Sequence, residues 1–240
     1  MFFNNISNYN QYAIAQSQIA DIFIKWIADS KILQSNLDII EIGCGTGILT
    51  EKIIQRYPNK NVVLIDQSKA MLDACRNKFI KNNNITYIND NAEYIFNTNL
   101  YTANPKVFLS NMCMHWLQDI NLFLEKLISF KHKIAFTIPT TNSFLYWQNI
   151  HAELNINCHL QNLISMQQIQ QFNYIKDIKY INIPLVYSSI LDFIKHFKFI
   201  DAYTNKNLYS IEELRKLIKY KDHTQIFKTE YEIAIILCEK

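Results

Sequence analysis

Three glycines and two acids in the first third of the chain have the types and spacing to hold a nucleoside. Gly43, Gly45 and Gly47 are the only 3 glycines among 240 residues, and they alternate directly after Glu41. Glycine tolerates positive φ and lets a backbone approach a ligand closely. A chain that keeps all of its glycine for one turn therefore has a local reason. The approach (Leu37, Ile39, Ile40, Ile42) is apolar, as in a strand buried on both faces. Beyond it, Ile48, Leu49, Ile53 and Ile54 recur with a helical period. A glycine turn from a buried strand into a helix is where an open α/β sheet binds its ligand. A phosphate loop would need Gly-Lys-Ser/Thr, yet Ile48 follows Gly47; the nicotinamide fingerprint would need a small residue where Ile48 stands. Asp66 ends the next apolar run, Asn61 to Ile65, about 20 residues after the turn, where an acid accepts from ribose hydroxyls. A carboxylate suits that task because it offers two acceptor oxygens. The plainer role for Asp66 is an acid beside the N-cap of the helix that Ser68 begins, and the two roles are compatible.

The elements that must position these groups follow in order. Residues 6 to 29 read as an entry coil and an amphipathic helix with Ala13, Ile14, Ile19, Ala20, Phe23, Ile24 and Ile27 on its apolar face. Its polar Tyr9 and Gln16 either pack on the sheet or cover the ligand. Ile85 to Ile88 forms a third strand that leads into Asn89-Asp90-Asn91-Ala92-Glu93. A fourth strand runs from Val107 to Asn111 and borders the far side of the switch point, so Asn111 is a candidate contact. His115 and Trp116, just beyond, are substrate-pocket candidates. Gln118 to Phe130 reads as a helix and Lys133 to Ile138 as the fifth strand, stopped by Pro139. From Thr140 to Asp177 the pattern loosens into short helices, which predicts a lid that excludes water from the site. Ile178 to Tyr187 and Glu232 to Leu237 read as strands, with helices around Leu191 to Ile200 and after the capping-box pattern Ser210-x-x-Glu213 between them.

Composition sets bounds. A hydrophobic content of 49% suffices for the core of one large α/β domain. The net charge of +3 is too small to argue for nucleic acid. No apolar run is long enough to span a membrane, and the start Met1-Phe2-Phe3-Asn4-Asn5 lacks the basic and apolar regions of a signal peptide. The 5 cysteines are odd in number and scattered, which predicts reduced thiols in the cytoplasm and neither a disulfide frame nor a metal site.

The pattern Glu-x-Gly-x-Gly-x-Gly resembles the first motif of the class I methyltransferases that use S-adenosylmethionine. That resemblance implies a three-layer, doubly wound, seven-stranded Rossmann-like sheet, one domain over 1–240. Residues 1–30 would cover the cofactor and 140–177 would form the lid between strands five and six. It implies that Glu41 anchors the ammonium end, that Gly43, Cys44, Gly45 and Gly47 pass under the methionine part, and that Asp66 holds the ribose. Gln67, Met71, Asn91 and Ala92 would lie against adenine, with Asp90 as the alternative to Asn91, and Asn111 would border the far side. S-adenosylhomocysteine is then the product.

More narrowly, the chain resembles the biotin-pathway carboxyl methyltransferases that methylate malonyl on acyl carrier protein. The residues carrying this are the leader Phe3, Tyr9, Ala13, Gln16 and Ala20; Ile40 to Thr50; Asp66-x-Ser68-x-x-Met71-Leu72; Ser110-Asn111, Trp116 and Asp119; Asn142-Ser143-Phe144 and Trp147; and the tail from Ser210 to Lys240. The implied reaction is displacement at a sulfonium methyl by a carboxylate that is already ionised. No general base and no catalytic acid–base pair are expected. Tyr9, Gln16, His115, Trp116 and Tyr146 are the substrate-pocket candidates. The carboxylate's partner is one of Tyr9, His115, Tyr146 or His151, since the lid has no arginine. Lys195, Lys198, Lys206, Lys216, Lys219 and Lys221 either dock an acidic carrier or form a solvated surface. A monomer is expected. The alternatives are transfer to another small organic acid, or an assembly factor or hydroxylase that binds the same cofactor.

Overall fold

The computed structural model describes residues 6–33, 37–98, 106–160, 163–199, 209–220 and 226–240. Phe3, Lys206 and Lys221 lie outside the described residues, as does the side chain of Lys198.

Five strands run parallel: β1 (Ile39–Ile42), β2 (Val62–Ile65), β3 (Ile85–Ile88), β4 (Val107–Asn111) and β5 (Lys133–Pro139). Two longer strands, β6 (Ile175–Tyr187) and β7 (Phe227–Cys238), add antiparallel to β5. The order is β3-β2-β1-β4-β5-β7-β6, so the direction of winding reverses between β1 and β4. That reversal leaves a crevice at the carboxyl ends of those two strands. The seven-stranded sheet expected from the sequence is present, with corrections at its antiparallel edge. β6 begins at Ile175 rather than Ile178, and β7 begins at Phe227 rather than Glu232. Alternating polar residues on the solvated face hide these early turns of strand, which read as surface.

Helices flank both faces. Before β1 lie α1 (Ile6–Tyr12) and α2 (Ile14–Ser30), broken at Ala13, where a single helix was expected. Between strands run α3 (Ile48–Arg56), α4 (Lys69–Lys78) and α5 (Ile120–Ser129). On one face Ile40, Ile42, Phe108 and Phe136 pack against α5 through Phe123, Leu124 and Leu127. On the other, Ile39, Leu64 and Leu109 pack against α2 and α3 through Phe23, Ile27, Leu49 and Ile53. These two cores make the three layers. Alternate residues of each short strand serve opposite cores, which is why the parallel strands read as unbroken apolar runs.

Between β5 and β6 lie two short helices, α6 (Leu145–Leu154) and α7 (Met166–Gln170), as the loosened pattern predicted. After β6 come α8 (Ile190–Phe199) and α9 (Ile211–Lys219), the latter closed at its start by the expected Ser210–Glu213 capping box. A third core joins the insertion to the antiparallel edge: Phe144, Trp147 and Ile150 meet Phe193, Phe197, Phe227 and Tyr231. Trp147 and Ile150 are thus packing residues. The insertion's first turn is tied to β7 by Glu232, whose Oε1 accepts from Thr140 Oγ1 at 2.6 Å and from Asn142 Nδ2 at 2.9 Å.

Candidate functional site

The carboxyl ends of β1, β2 and β4 surround a cavity of about 280 Å³. Its floor is the glycine turn, lined by Gly43 and Gly45 but not by Gly47; all three have positive φ (67°, 53° and 83°). The three are needed for different reasons. A Cβ on Gly43 would stand 2.1 Å from Cys113 Sγ, and one on Gly47 would stand 2.6 Å from Phe79 Cε2 and 2.8 Å from Cys75 Sγ. A Cβ on Gly45 would meet nothing within 4 Å. Two glycines therefore let neighbouring elements close on the turn, and Gly45 alone presents bare backbone to open space.

Glu41, next to last in β1, lies on the cavity wall, 1% exposed. Its Oε2 accepts from Thr50 Oγ1 at 2.7 Å on α3, and no ion pair holds it among the described residues. Burial raises its carboxyl well above the ordinary value. Asp66 lines the same cavity at the end of β2. Its Oδ2 accepts from the Gly45 N–H and its Oδ1 from the Ser68 N–H, each at 2.8 Å. Burial raises its pKa, and those two backbone bonds oppose the rise. Asp66 thus braces the turn beside the Ser68 N-cap and also lines the cavity.

Cys44, Gln67, Met71, Asn91, Ala92 and Asn111 also line the cavity. Of the two loop candidates after β3, Asn91 does so and Asp90 does not. Asn91 Oδ1 is engaged, however, accepting from the Glu93 N–H at 3.0 Å, while Asp90 accepts from the Asn91 N–H. Asn111 is committed at both ends: its Nδ2 donates to the Gln16 carbonyl at 3.1 Å and its Oδ1 accepts from Thr137 Oγ1 at 2.9 Å. It pins α2 to β4.

Tyr9 and Gln16 reach the cavity from α1 and α2, and Thr46 Oγ1 donates to Asn10 Oδ1 at 2.6 Å, which ties α1 to the glycine turn. Burial pushes the Tyr9 phenol up to about 12, with the charge of Asp66 adding to it. Gln16 is buried, and its Oε1 has no hydrogen-bond partner. His115 and Trp116 line the cavity from a short 3-10 turn, Met114–Trp116. The sequence-level candidates Tyr146 and His151 do not. Tyr146 is 45% exposed and lies 5.7 Å from Phe227, because α6 turns it outward. His151 is spent inside the third core, Nδ1 on the Trp147 carbonyl at 2.8 Å and Nε2 on Tyr209 Oη at 3.0 Å.

In their place the cavity takes Phe144, Leu160 and Leu163 of the insertion, Phe197 of α8 and Tyr231 of β7. Phe144 holds φ 60° and is wedged 4.7 Å from Phe197 and 4.2 Å from Tyr231. Phe144 and Tyr231 stand in stretches the sequence marks out. Nothing local points Phe197 or Tyr231 at the site, since long chain returns bring them there.

The polar set fits a particular ligand. Glu41, Asp66 and the unpartnered Gln16 Oε1 are all acceptors. They call for a ligand rich in donors, such as an ammonium group and ribose hydroxyls. Gly45 leaves the open backbone such a ligand needs.

Comparison with known proteins agrees. Residues 39–130 match a methyltransferase domain model. The chain is 28% identical over 212 residues to a malonyl-[acyl-carrier protein] O-methyltransferase 2 of Ilyobacter polytropus, covering 84% of this chain and 78% of that protein. It is 33% identical over 139 residues to a malonyl-[acyl-carrier protein] O-methyltransferase 1 of the same organism, covering 57% of this chain but only 49% of that protein. A plantazolicin methyltransferase, BpumL, solved with a desmethyl substrate analog and S-adenosylhomocysteine, superposes with a TM-score of 0.51 at 17% identity, covering 98% of this chain and 89% of that one. Glycine turn, strand-end acids, strand order and the methyltransferase domain model matched over residues 39–130 together support an S-adenosylmethionine-dependent methyltransferase.

Proposed function

We propose that the chain transfers the cofactor's methyl group to the free carboxylate of malonyl carried on acyl carrier protein. The observation that carries this reading is one cavity with two unlike halves. Acceptor groups (Glu41, Asp66, Gln16) lie toward β1 and β2, while Phe144, Leu160, Leu163, Phe197 and Tyr231 wall the side toward β5 and the insertion. The relatives named malonyl-[acyl-carrier protein] O-methyltransferase supply the substrate class.

Glu41 would hold the ammonium end, Asp66 the ribose, and Gln67, Met71, Asn91 and Ala92 the adenine. The bound cofactor supplies an electrophilic methyl group on a sulfonium. The protein's part is alignment and exclusion of water. A carboxylate acceptor is ionised near neutral pH and needs no base. His115 would be a poor base in any case, since burial lowers its ring to about 3. The 140–177 insertion, whose last three residues begin β6, and the N-terminal segment 1–30 would close the site from two sides, as one domain acting as a monomer. No described helix is long and apolar enough to cross a membrane. The five cysteines are free, which fits the cytoplasm.

Carrier docking through the lysines of the C-terminal third has weak support. Lys195 pairs with Asp192 at 3.7 Å and Lys216 with Glu212 at 2.8 Å, so acids on the same helices offset them. This favours keeping a carrier-free acid as a second reading. The test is incubation with labelled cofactor and malonyl on acyl carrier protein, on coenzyme A, or free. A base-labile methyl ester formed fastest with the carrier is expected. Equal rates on free acids would move the substrate to the second reading, and no ester on any malonyl compound would refute carboxyl transfer.

A further inference from the structure

Among the described residues, no lysine or arginine lines the cavity. A carboxylate acceptor must therefore be received by an uncharged donor, because a desolvated anion without one is costly. Four residues have been candidates for that task. Tyr146 and His151 do not reach the cavity. Tyr9 is buried beside the Asp66 charge, a poor place for a second anion. His115 remains. Its Nδ1 is buried and has no hydrogen-bond partner, and its ring lies 5.1 Å from that of Trp116. A buried ring nitrogen left unpaired carries a desolvation penalty, and a ligand removes it.

Resting on the carboxyl transfer proposed above, we infer that His115, through Nδ1–H, receives the acceptor's carboxylate and so selects for acid substrates. The titratable groups that share its cavity are Tyr9 on α1, Glu41 on β1, Cys44, Asp66 at the end of β2, Cys113, and Tyr231 on β7. None is a cation at neutral pH. Burial holds the His115 ring neutral as well, at about 3. The donor is a neutral N–H.

The experiment uses the full chain with malonyl-coenzyme A and malonyl-carrier, and three variants. His115→Ala should raise KM for the acceptor about tenfold, the loss of one hydrogen bond to a charged group, with the dissociation constant of S-adenosylhomocysteine unchanged. His115→Asn puts an amide N–H near the Nδ1 position and should bring KM back to within about threefold of wild type. His115→Gln puts its amide near Nε2 and should not. If alanine fails to fold, the Asn–Gln contrast decides. The wild-type KM should stay flat from about pH 6.5 to about pH 8.5, since a neutral ring does not titrate there. Any of four results overturns the inference: normal KM in the alanine variant, equal rescue by Asn and Gln, a KM that climbs with pH through neutrality, or equal losses of cofactor and acceptor affinity. Formation of methyl ester with any of these results removes His115 alone. No ester from wild type removes the carboxyl-transfer reading with it.

Discussion

The three glycines give a prediction in which stability and binding rank in opposite orders. Alanine at Gly45 keeps a φ of 53° and adds a Cβ that meets nothing within 4 Å. Its cost is the left-handed backbone alone, about 1–2 kcal/mol. Alanine at Gly43 carries the same backbone cost at φ 67°, and its Cβ would sit 2.1 Å from Cys113 Sγ and 2.5 Å from Cys113 Cβ. One of the two elements must move, which adds about 1–3 kcal/mol of overpacking. Gly47 falls between, because Phe79 is half-buried and its ring can yield. In a chain of this length about 1 kcal/mol lowers Tm by roughly 2–4 °C. Gly45→Ala should therefore lose about 2–8 °C and Gly43→Ala about 4–20 °C. Binding of S-adenosylhomocysteine should rank the other way, since only the Gly45 methyl stands in the ligand's space. Urea unfolding and titration calorimetry measure both. A Cys113→Gly background should recover the overpacking part of the Gly43→Ala loss, a coupling of about 1 kcal/mol or more. The reasoning fails if Gly45→Ala is as unstable as Gly43→Ala, or if it binds the cofactor normally.

Burial raises the Glu41 carboxyl, so the folded ligand-free protein keeps that proton at pH values where the unfolded chain has lost it. The stability this proton lends is full below the ordinary value of 4.5 and disappears as pH rises through the folded value. An ammonium-bearing ligand needs the ionised form, so affinity for S-adenosylhomocysteine should rise with pH, and Glu41→Gln should flatten that rise; titrations between about pH 5 and pH 8 check it. Asp66→Asn should weaken cofactor binding about ten- to hundredfold, as loss of charge-assisted hydrogen bonds, measured by the same titration. Tyr146→Ala should change methyl transfer less than about twofold, because the side chain is exposed and off the cavity. Glu232→Ala removes the acceptor for Thr140 and Asn142 and should cost about 1–3 kcal/mol, with faster proteolysis between 140 and 174.

Much of the cofactor half was legible because its determinants are local. A glycine turn, an acid at each of two strand ends and the strand–helix alternation all lie within Leu37 to Met71, and chain order alone sets them side by side. What was not legible has two physical sources. The first is tertiary return: Phe197 and Tyr231 arrive from helices and strands far along the chain, and only the aromatic cluster around Phe144 fixes where they point. The second is the facing of a single helix turn. Tyr146 and Trp147 are neighbours, yet α6 buries the tryptophan completely and leaves the tyrosine 45% exposed. A sequence pattern without a helix axis cannot assign that difference. The glycines show a third limit. Their spacing announced a ligand, while the contacts show that Gly47 answers to Cys75 and Phe79 off the cavity, and that Gly43, which lines the cavity with Gly45, is also closed upon by Cys113.

The lack of a lysine or arginine among the described residues that line the cavity has a chemical consequence for the proposed reaction. An arginine beside the acceptor carboxylate would bind it tightly, but it would stabilise the anion more before attack than during it. Such ground-state affinity lowers KM and does not raise kcat. In the transition state the attacking carboxylate gives up charge to the new ester bond, so a strong ion pair would weaken as reaction proceeds and would add to the barrier. A neutral N–H holds the carboxylate more loosely and loses less. Burial lowers the His115 ring to about 3, so a nearby carboxylate must first overcome that desolvation cost before the ring becomes an ion pair. In the proposed reaction the cavity's aromatic walls would exclude water from a carboxylate held by a neutral donor.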